Sequence, residues 1–309
     1  MRIGIINGGT SSEKLFSQAN ARAVCASLNA GGHEAELIDY DENMLLRLIE
    51  NPPDLAFICV QGKYHGDGTA QAILDFLHIP YVGSPTAAAS LINDKILCKI
   101  LFDACGIATP PWQKLSRREY ESGSFDFGKT GYPFVAKAPS QGASVGIALV
   151  KDESELNNIE VALEYDDPIL AEAYVDGRAY TVGVIEKDGE LLALPVVEMM
   201  DRRIDRKDGL QLMIGDYSGR AAELEERQAE DMKRMALEIF RQTGARDYAR
   251  IDFMVENGSG KVYAIEINAV PGLAREGSFL PMETELMGIA YDELIESIVL
   301  NAGRRNGLC

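Results

Sequence analysis

Residues 250–272 read RIDFMVENGSGKVYAIEINAVPG. Two runs of alternating apolar and polar side chains are joined by Asn257-Gly258-Ser259-Gly260, a pattern that predicts a β-hairpin with a glycine-rich loop. Side chains two apart on a strand share a face, so Arg250 goes with Asp252 and, on the partner strand, Glu266 with Asn268. Ile251, Phe253, Val255, Ile265 and Ile267 fall on the opposite face and give the hairpin an apolar side to bury. Two carboxylates, an amide oxygen and a guanidinium thus converge. Hard oxygen donors with no His or Cys among them suit Mg²⁺, which keeps several waters and is usually shared with substrate phosphates. An arginine beside them would serve an oxyanion or phosphoryl group as a fixed donor. An ordinary solvated sheet face gives the same alternation, and on the hairpin alone both readings stand. Pro271-Gly272 weighs toward a site, because a glycine directly after the strand lets backbone N–H groups approach a ligand closely.

At 309 residues, the chain is long enough for two or three domains and a large core. A composition of 46% hydrophobic and 25% charged residues is that of a soluble globular protein. The net charge of −18 argues against nucleic acid as a partner. The five cysteines are scattered without a CxxC pair, as expected of reduced thiols in the cytoplasm, and the three histidines lack ligand-like spacing for zinc. The start MRIGIING is strand-like rather than a signal peptide, and no apolar run approaches membrane-spanning length.

Taken in order, residues 3–6 form a short apolar strand, and Gly8-Gly9-Thr10-Ser11-Ser12 turns into a helix over residues 13–29 that Ser11 or Ser12 can cap. Strands at 35–38 and 55–60 and a helix at 69–77 repeat the pattern, which predicts a parallel α/β sheet with ligands at the strand ends, here Gly8-Gly9 and the loop 61–68. Glu13 at the helix start is either a dipole-stabilised carboxylate or a clamp for an ammonium group. Asn93-Asp94-Lys95 opens a helix ending near Gly106, and beyond Pro110-Pro111 the segments become β-rich. Lys137 inside an apolar strand calls for an anion, and the turn 139–146 that follows is either a phosphate cradle or a plain hairpin loop. Further strands are predicted over 168–175, 179–186 and 190–197, a long charged loop able to act as a lid over 199–220, an amphipathic helix over 221–243 and a last helix near 291–301.

These signals in this order resemble the ATP-grasp superfamily and, within it, the D-alanine:D-alanine ligases. The likeness runs through GGTSSE, HGDG at 65–68, NDK at 93–95, VAKAPSQGASVG at 135–146, RIDFM at 250–254 and EINAVPG at 266–272. It implies an α/β and α+β fold, with an N-terminal parallel α/β domain (1–83), a central subdomain with the phosphate loop (84–178) and a C-terminal subdomain with the hairpin (179–309). ATP is then held between two antiparallel sheets. By position, the resemblance gives Lys95, Lys137 and Ser144 to the nucleotide phosphates, and Glu172, Ala173 and Val175 to the adenine. Asp252, Glu266 and Asn268 go to two Mg²⁺ ions, for which Mn²⁺ is a possible substitute. Arg250 and the Gly272 N–H fall to the oxyanion, Glu13 to the first amino acid, and Ser278 with Phe279 to the second. It further implies small amino-acid substrates, an acylphosphate mechanism, a role in making cell-wall peptidoglycan, a cytoplasmic setting and a homodimer.

Several departures concern the first substrate, and others the ribose, the lid and the acceptor site. Ala143 stands where the family usually has a serine, Gln61 where a histidine is common, Gly66 in place of an acid and Ala179 where a ribose-binding acid is expected. The lid's Lys-Tyr pair has no clear match, Lys207 beside Asp208 being the nearest, and Arg275 and Glu276 add charges near the acceptor site. Three readings are therefore carried forward: a D-alanine:D-alanine ligase, a ligase of the same mechanism for another amino acid or a specialised-metabolite acid, and a nucleotide-binding protein without turnover.

Overall fold

The chain opens with β1 (Arg2–Asn7), α1 (Lys14–Ala30), β2 (Glu34–Asp39), α2 (Met44–Glu50), β3 (Leu55–Ile58), α3 (Thr69–Phe76) and β4 (Tyr81–Val82). In the computed structural model, which describes residues 1–11, 13–200 and 218–309, these strands form a parallel sheet in the order β2-β1-β3-β4. The Ser11 hydroxyl receives the Glu13 N–H at 3.3 Å, but Glu13 itself is the N-cap residue of α1, which has no side-chain cap, so the expected serine capping by Ser11 is not made. Ser12 lies outside the described residues.

Helices α4 (Thr86–Asn93) and α5 (Lys95–Ala104) meet at Asp94, whose carboxylate takes the Ile96 and Leu97 N–H groups at 2.8 and 3.1 Å and so starts α5 with Lys95 as its first residue. A second, antiparallel sheet follows, built from β5 (Trp112–Leu115), β6 (Phe134–Lys137), β7 (Ile147–Val150) and β8 (Ile169–Ala173) in the order β5-β8-β6-β7, with α6 (Arg117–Ser122) and α7 (Glu160–Leu163) in its connections.

The third sheet, also antiparallel, takes β9 (Gly177–Lys187), β10 (Glu190–Ala193), β11 (Val197–Met199), β12 (Gly219–Ala221), β13 (Tyr248–Glu256) and β14 (Val262–Asn268). The single strand expected over 190–197 is thus two, parted at Pro195, which has no N–H to give a ladder. Likewise α8 begins at Glu226 (Glu226–Thr243) rather than at 221, because residues 219–221 pair with β11 instead. Met232, Met235, Ala236, Ile239 and Phe240 of α8 bury against β9, β13 and β14, each large side chain contributing roughly 1.5–3 kcal/mol. Helices α9 (Phe279–Glu285) and α10 (Tyr291–Arg305) close the chain, and α10 packs with α1 over β1 and β3, so the end of the sequence covers its beginning.

Candidate active site

The β13–β14 ladder pairs Arg250 with Asn268 and Asp252 with Glu266, so the four polar groups of the hairpin do converge. Between Asp252 and Phe253 the register shifts, Phe253 pairing with Ala264, and Ile265 is the extra residue of a β-bulge. This corrects one expectation: Ala264 takes the core-facing place, while Ile265 packs with Val175 and Tyr263 and lines a cleft.

That cleft, of about 620 Å³, runs between the second and third sheets and is closed at one end by α1 and the loop after β3. Glu13, Lys95, Lys137, Ser144, Glu172, Ala173, Val175, Arg250, Glu266, Asn268, Gly272, Ser278 and Phe279 all line it. Asp252 does not: its carboxylate is fully buried, bonded to Thr181 Oγ1 at 2.8 Å and forked by Arg250 Nε and Nη2 at 3.1 Å each. Lys207 lies outside the described residues, as does most of the expected lid segment.

Each side chain is placed by an element with a local reason for its shape. Lys95 Nζ donates to Gln141 O at 2.6 Å and lies 3.4 Å from Glu266 Oε2, tying α5 to the loop between β6 and β7 and to the hairpin. In that loop Ala143 and Ser144 are consecutive left-handed residues, with φ of 49° and 62°. Such a turn aims successive N–H groups into one concavity, the geometry that receives an anion. Ser140 anchors the loop through its N–H and hydroxyl to Asp166, which Lys63 also holds at 2.9 Å.

Glu13 packs against glycines on both sides: a Cβ on Gly142 would fall 2.6 Å from its Oε2, and one on Gly62 2.9 Å. Burial raises its pKa to about 7, with the Lys95 charge opposing and the Glu266 charge adding to the rise. At the other end of the cleft, Glu172 is bridged by two ammonium groups, Lys137 and Lys99. Burial works to raise the Glu172 pKa, but the two lysines outweigh it and hold the carboxyl below its ordinary value. Burial also lowers the pKa of Lys99, against the pull of Glu172.

Lys99 was not singled out from the sequence, although its position four residues after Lys95 placed it one turn along the same helix. Phe16 and Asn20, which line the cleft from α1, were missed as well. Their i, i+4 spacing was the available signal. Gln61 lines the cleft with its amide engaged, Nε2 donating to Val270 O at 2.6 Å.

On the cleft wall Glu266 and Asn268 offer oxygen donors without nitrogen or sulfur, which fits Mg²⁺, while the Asp252 carboxylate lies buried beneath them, held by Arg250 and Thr181. Among the described residues no three His, Cys, Asp or Glu side chains gather as a metal site, so any ion there relies on Asn268 and on substrate oxygens.

A family model described as "D-ala D-ala ligase C-terminus" matches residues 101–300. The D-alanine–D-alanine ligase of Aquifex aeolicus is 33% identical over 304 residues, covering 97% of this chain and all of that protein. That of Halalkalibacterium halodurans is 31% identical over 310 residues, covering 97% and 98%. The chain belongs to the D-alanine–D-alanine ligase family. Among solved structures, the Bacillus anthracis D-alanine–D-alanine ligase complexed with ATP superimposes with a TM-score of 0.82 at 30% identity, covering 99% of both chains. The Coxiella burnetii ligase, at 23% identity and a TM-score of 0.83 over 99% of this chain and 95% of that one, shares the fold. The architecture of three sheets around one cleft is therefore the ATP-grasp fold of the D-alanine–D-alanine ligase family. No described helix is long and apolar enough to cross a membrane.

Proposed function

We propose that this chain joins two D-alanine molecules at the expense of ATP, supplying a dipeptide for cell-wall peptidoglycan in the cytoplasm. The observation that carries the reading is the meeting, in one cleft, of two lysines (Lys95, Lys137), an acid-and-amide set (Glu266, Asn268) and an arginine with a glycine N–H (Arg250, Gly272) alongside Ser278, groups suited in turn to phosphates, a divalent ion and an oxyanion. A nucleotide-binding protein without turnover has no use for the last of these.

In this reading a carboxylate oxygen of the first D-alanine, its ammonium group held by ionised Glu13, attacks the γ-phosphorus of ATP, and ADP leaves. The amine of the second D-alanine, after losing a proton, attacks the carbonyl carbon of the resulting acylphosphate. Phosphate departs and the amide bond is made. Lys95 and Lys137 offset the repulsion between carboxylate and triphosphate, the left-handed turn at Ala143-Ser144 offers its N–H groups to phosphate oxygens, and positioning supplies most of the remaining acceleration. Arg250, its guanidinium fixed by buried Asp252, and the Gly272 N–H would stabilise the tetrahedral oxyanion. Glu266 and Asn268 would hold Mg²⁺ from the cleft side, with Asp252 placed behind them on the facing strand, and the ion would neutralise charge on the transferring phosphoryl group. Glu172, with Ala173 and Val175, would meet the adenine, Lys99 standing behind.

A second reading, the same chemistry on another first amino acid, is favoured by the first-substrate end: the residue after Gly142 is Ala143, which has no hydroxyl, and the Gln61 amide is committed to Val270. Amino-acid-dependent ADP release, measured across D- and L-amino acids singly and in pairs with Glu266→Gln as the blank, tests both. Turnover with D-alanine alone supports the first reading. Turnover only with another pair replaces it by the second, and no turnover with any pair overturns both.

A further inference from the structure

Asn20 sits on α1, one turn after Phe16, and is 3% exposed. Its Oδ1 accepts the backbone N–H groups of Leu273 and Ala274 at 2.9 and 2.8 Å. Those two donors fix which end of the amide is which, because a flipped amide would set N–H against N–H. Nδ2 is thereby turned away from the 273–274 turn, and among the described residues it meets no acceptor. A buried amide N–H left in that state costs about 1–3 kcal/mol. Tethering the turn does not account for this group, because any acceptor oxygen on the same stem would serve.

The amide lies where the acceptor substrate is expected. Asn20 lines the cleft with Phe16, Gly272 and Ser278. A Cβ built on Gly272 would meet Ser278 Oγ at 2.8 Å and Asn20 Oδ1 at 4.0 Å, so the serine hydroxyl and the asparagine's amide oxygen flank the same backbone point. We propose that Asn20 is a substrate-binding residue of the acceptor site, its Nδ2 donating to the carboxylate of the second amino acid alongside the Ser278 hydroxyl while its Oδ1 holds the turn after Gly272. This rests on the ligase reading above. A carboxylate has lone pairs enough for both donors, whereas a carboxamide presents one acceptor oxygen and an N–H₂ that would face Nδ2. Asn20 is thus a selectivity element for a free carboxylate, contributed by the first α/β layer to a site otherwise built by the C-terminal part of the chain.

The test is a competition. D-Alaninamide lacks the carboxylate that ATP phosphorylates, so it enters only as acceptor, and the ratio of dipeptide to dipeptide amide formed from an equimolar mixture with D-alanine reads acceptor selectivity directly. Asn20→Asp keeps an oxygen for Leu273 and Ala274 and replaces the donor by an anionic oxygen. In that variant the preference for D-alanine over D-alaninamide is expected to fall about tenfold or more, with the KM for ATP within about twofold of the parent. Asn20→Ser, which removes Nδ2 without adding charge, is read in the same assay should Asn20→Asp fail to fold. An unchanged product ratio, whether or not overall activity or Tm drops, makes Asn20 a structural tether and overturns the inference alone. Absence of any dipeptide from the parent enzyme overturns the D-alanine reading and the inference with it.

Discussion

Lys95 Nζ and Glu266 Oε2 stand 3.4 Å apart, a cation of α5 against an acid of β14, both partly buried. The lysine also holds the carbonyl of Gln141, so three segments far apart in sequence are gathered on one ammonium group. Glu266→Gln keeps the shape of this junction and removes its negative charge. The expected outcome is a fall in turnover of about a hundredfold or more, since a bound divalent ion is worth several kcal/mol to the transferring phosphoryl group. Chelation of divalent ions should silence the parent enzyme equally, with recovery on adding Mg²⁺. A Gln variant of near-native rate would remove Glu266 from the chemistry.

Glu172 is held between Lys137 and Lys99, and all three side chains are buried. Removing the shared carboxylate leaves two ammonium groups facing each other without a counter-ion, so Glu172→Gln is expected to cost about 3–5 kcal/mol of stability. Lys99→Met leaves the Glu172–Lys137 pair intact and fills the lysine stem's volume, so it should cost less, about 1–2 kcal/mol. Without Lys99, however, Lys137 becomes the sole partner of Glu172 and is drawn from the cleft, which predicts a severalfold rise in the KM for ATP. Denaturant unfolding of both variants checks the order, and a Lys99→Met variant that is the less stable of the two contradicts it.

The sequence made the hairpin legible because alternation and the pairing of like positions are local, two-residue properties. The bulge at Ile265 was not legible, since Ile265-Glu266-Ile267-Asn268 alternates apolar and polar as if the strand were unbroken, and the extra residue shows only against the register of β13. Lys99 escaped for another reason: on an amphipathic helix a lysine reads as a solvated charge, and only the packing of α5 against α8 and β14 buries it, within reach of Glu172. Asn20 has partners 253 and 254 residues away, beyond any local pattern. Beyond the hairpin, Lys137 and Glu13 drew attention by their own settings, the other assignments came from resemblance to whole motifs, and the cleft brings nearly all of them together, with Asp252 beneath its wall.

The raised pKa of Glu13, about 7, gives two pH effects of defined sign. The folded carboxyl binds its proton more tightly than the unfolded one, whose ordinary value is 4.5, so the protonated form favours folding. Stability from this group is fully present below about pH 4.5 and is lost as pH rises toward 7, by up to about 3 kcal/mol. Activity should run the other way if Glu13 clamps an ammonium group as a carboxylate: kcat/KM for the first amino acid falls below about pH 7. Glu13→Gln should flatten both limbs while lowering activity throughout. An acid limb that persists in the Gln variant belongs to another group.

Ala143→Ser tests the first-substrate end from the other side. Ala143 already sits in a left-handed conformation beside Gly142, where an added Cβ would run into the Glu13 carboxylate, and serine fits the Ala143 backbone as well as alanine does. The folded state should change by no more than about 0.5 kcal/mol. A hydroxyl donating to Glu13 stabilises its ionised form, worth roughly 0.5–1.5 kcal/mol, which predicts a KM for D-alanine at the first site roughly two- to tenfold lower and an acid limb shifted to lower pH. The KM for ATP should stay within about twofold, because the phosphate-facing N–H groups of the turn are untouched. An effect confined to ATP would mean that position 143 faces the nucleotide. A fall in activity with D-alanine together with a gain for another amino acid would mean that Phe16, Gln61 and Ala143 form a pocket built for a different first substrate.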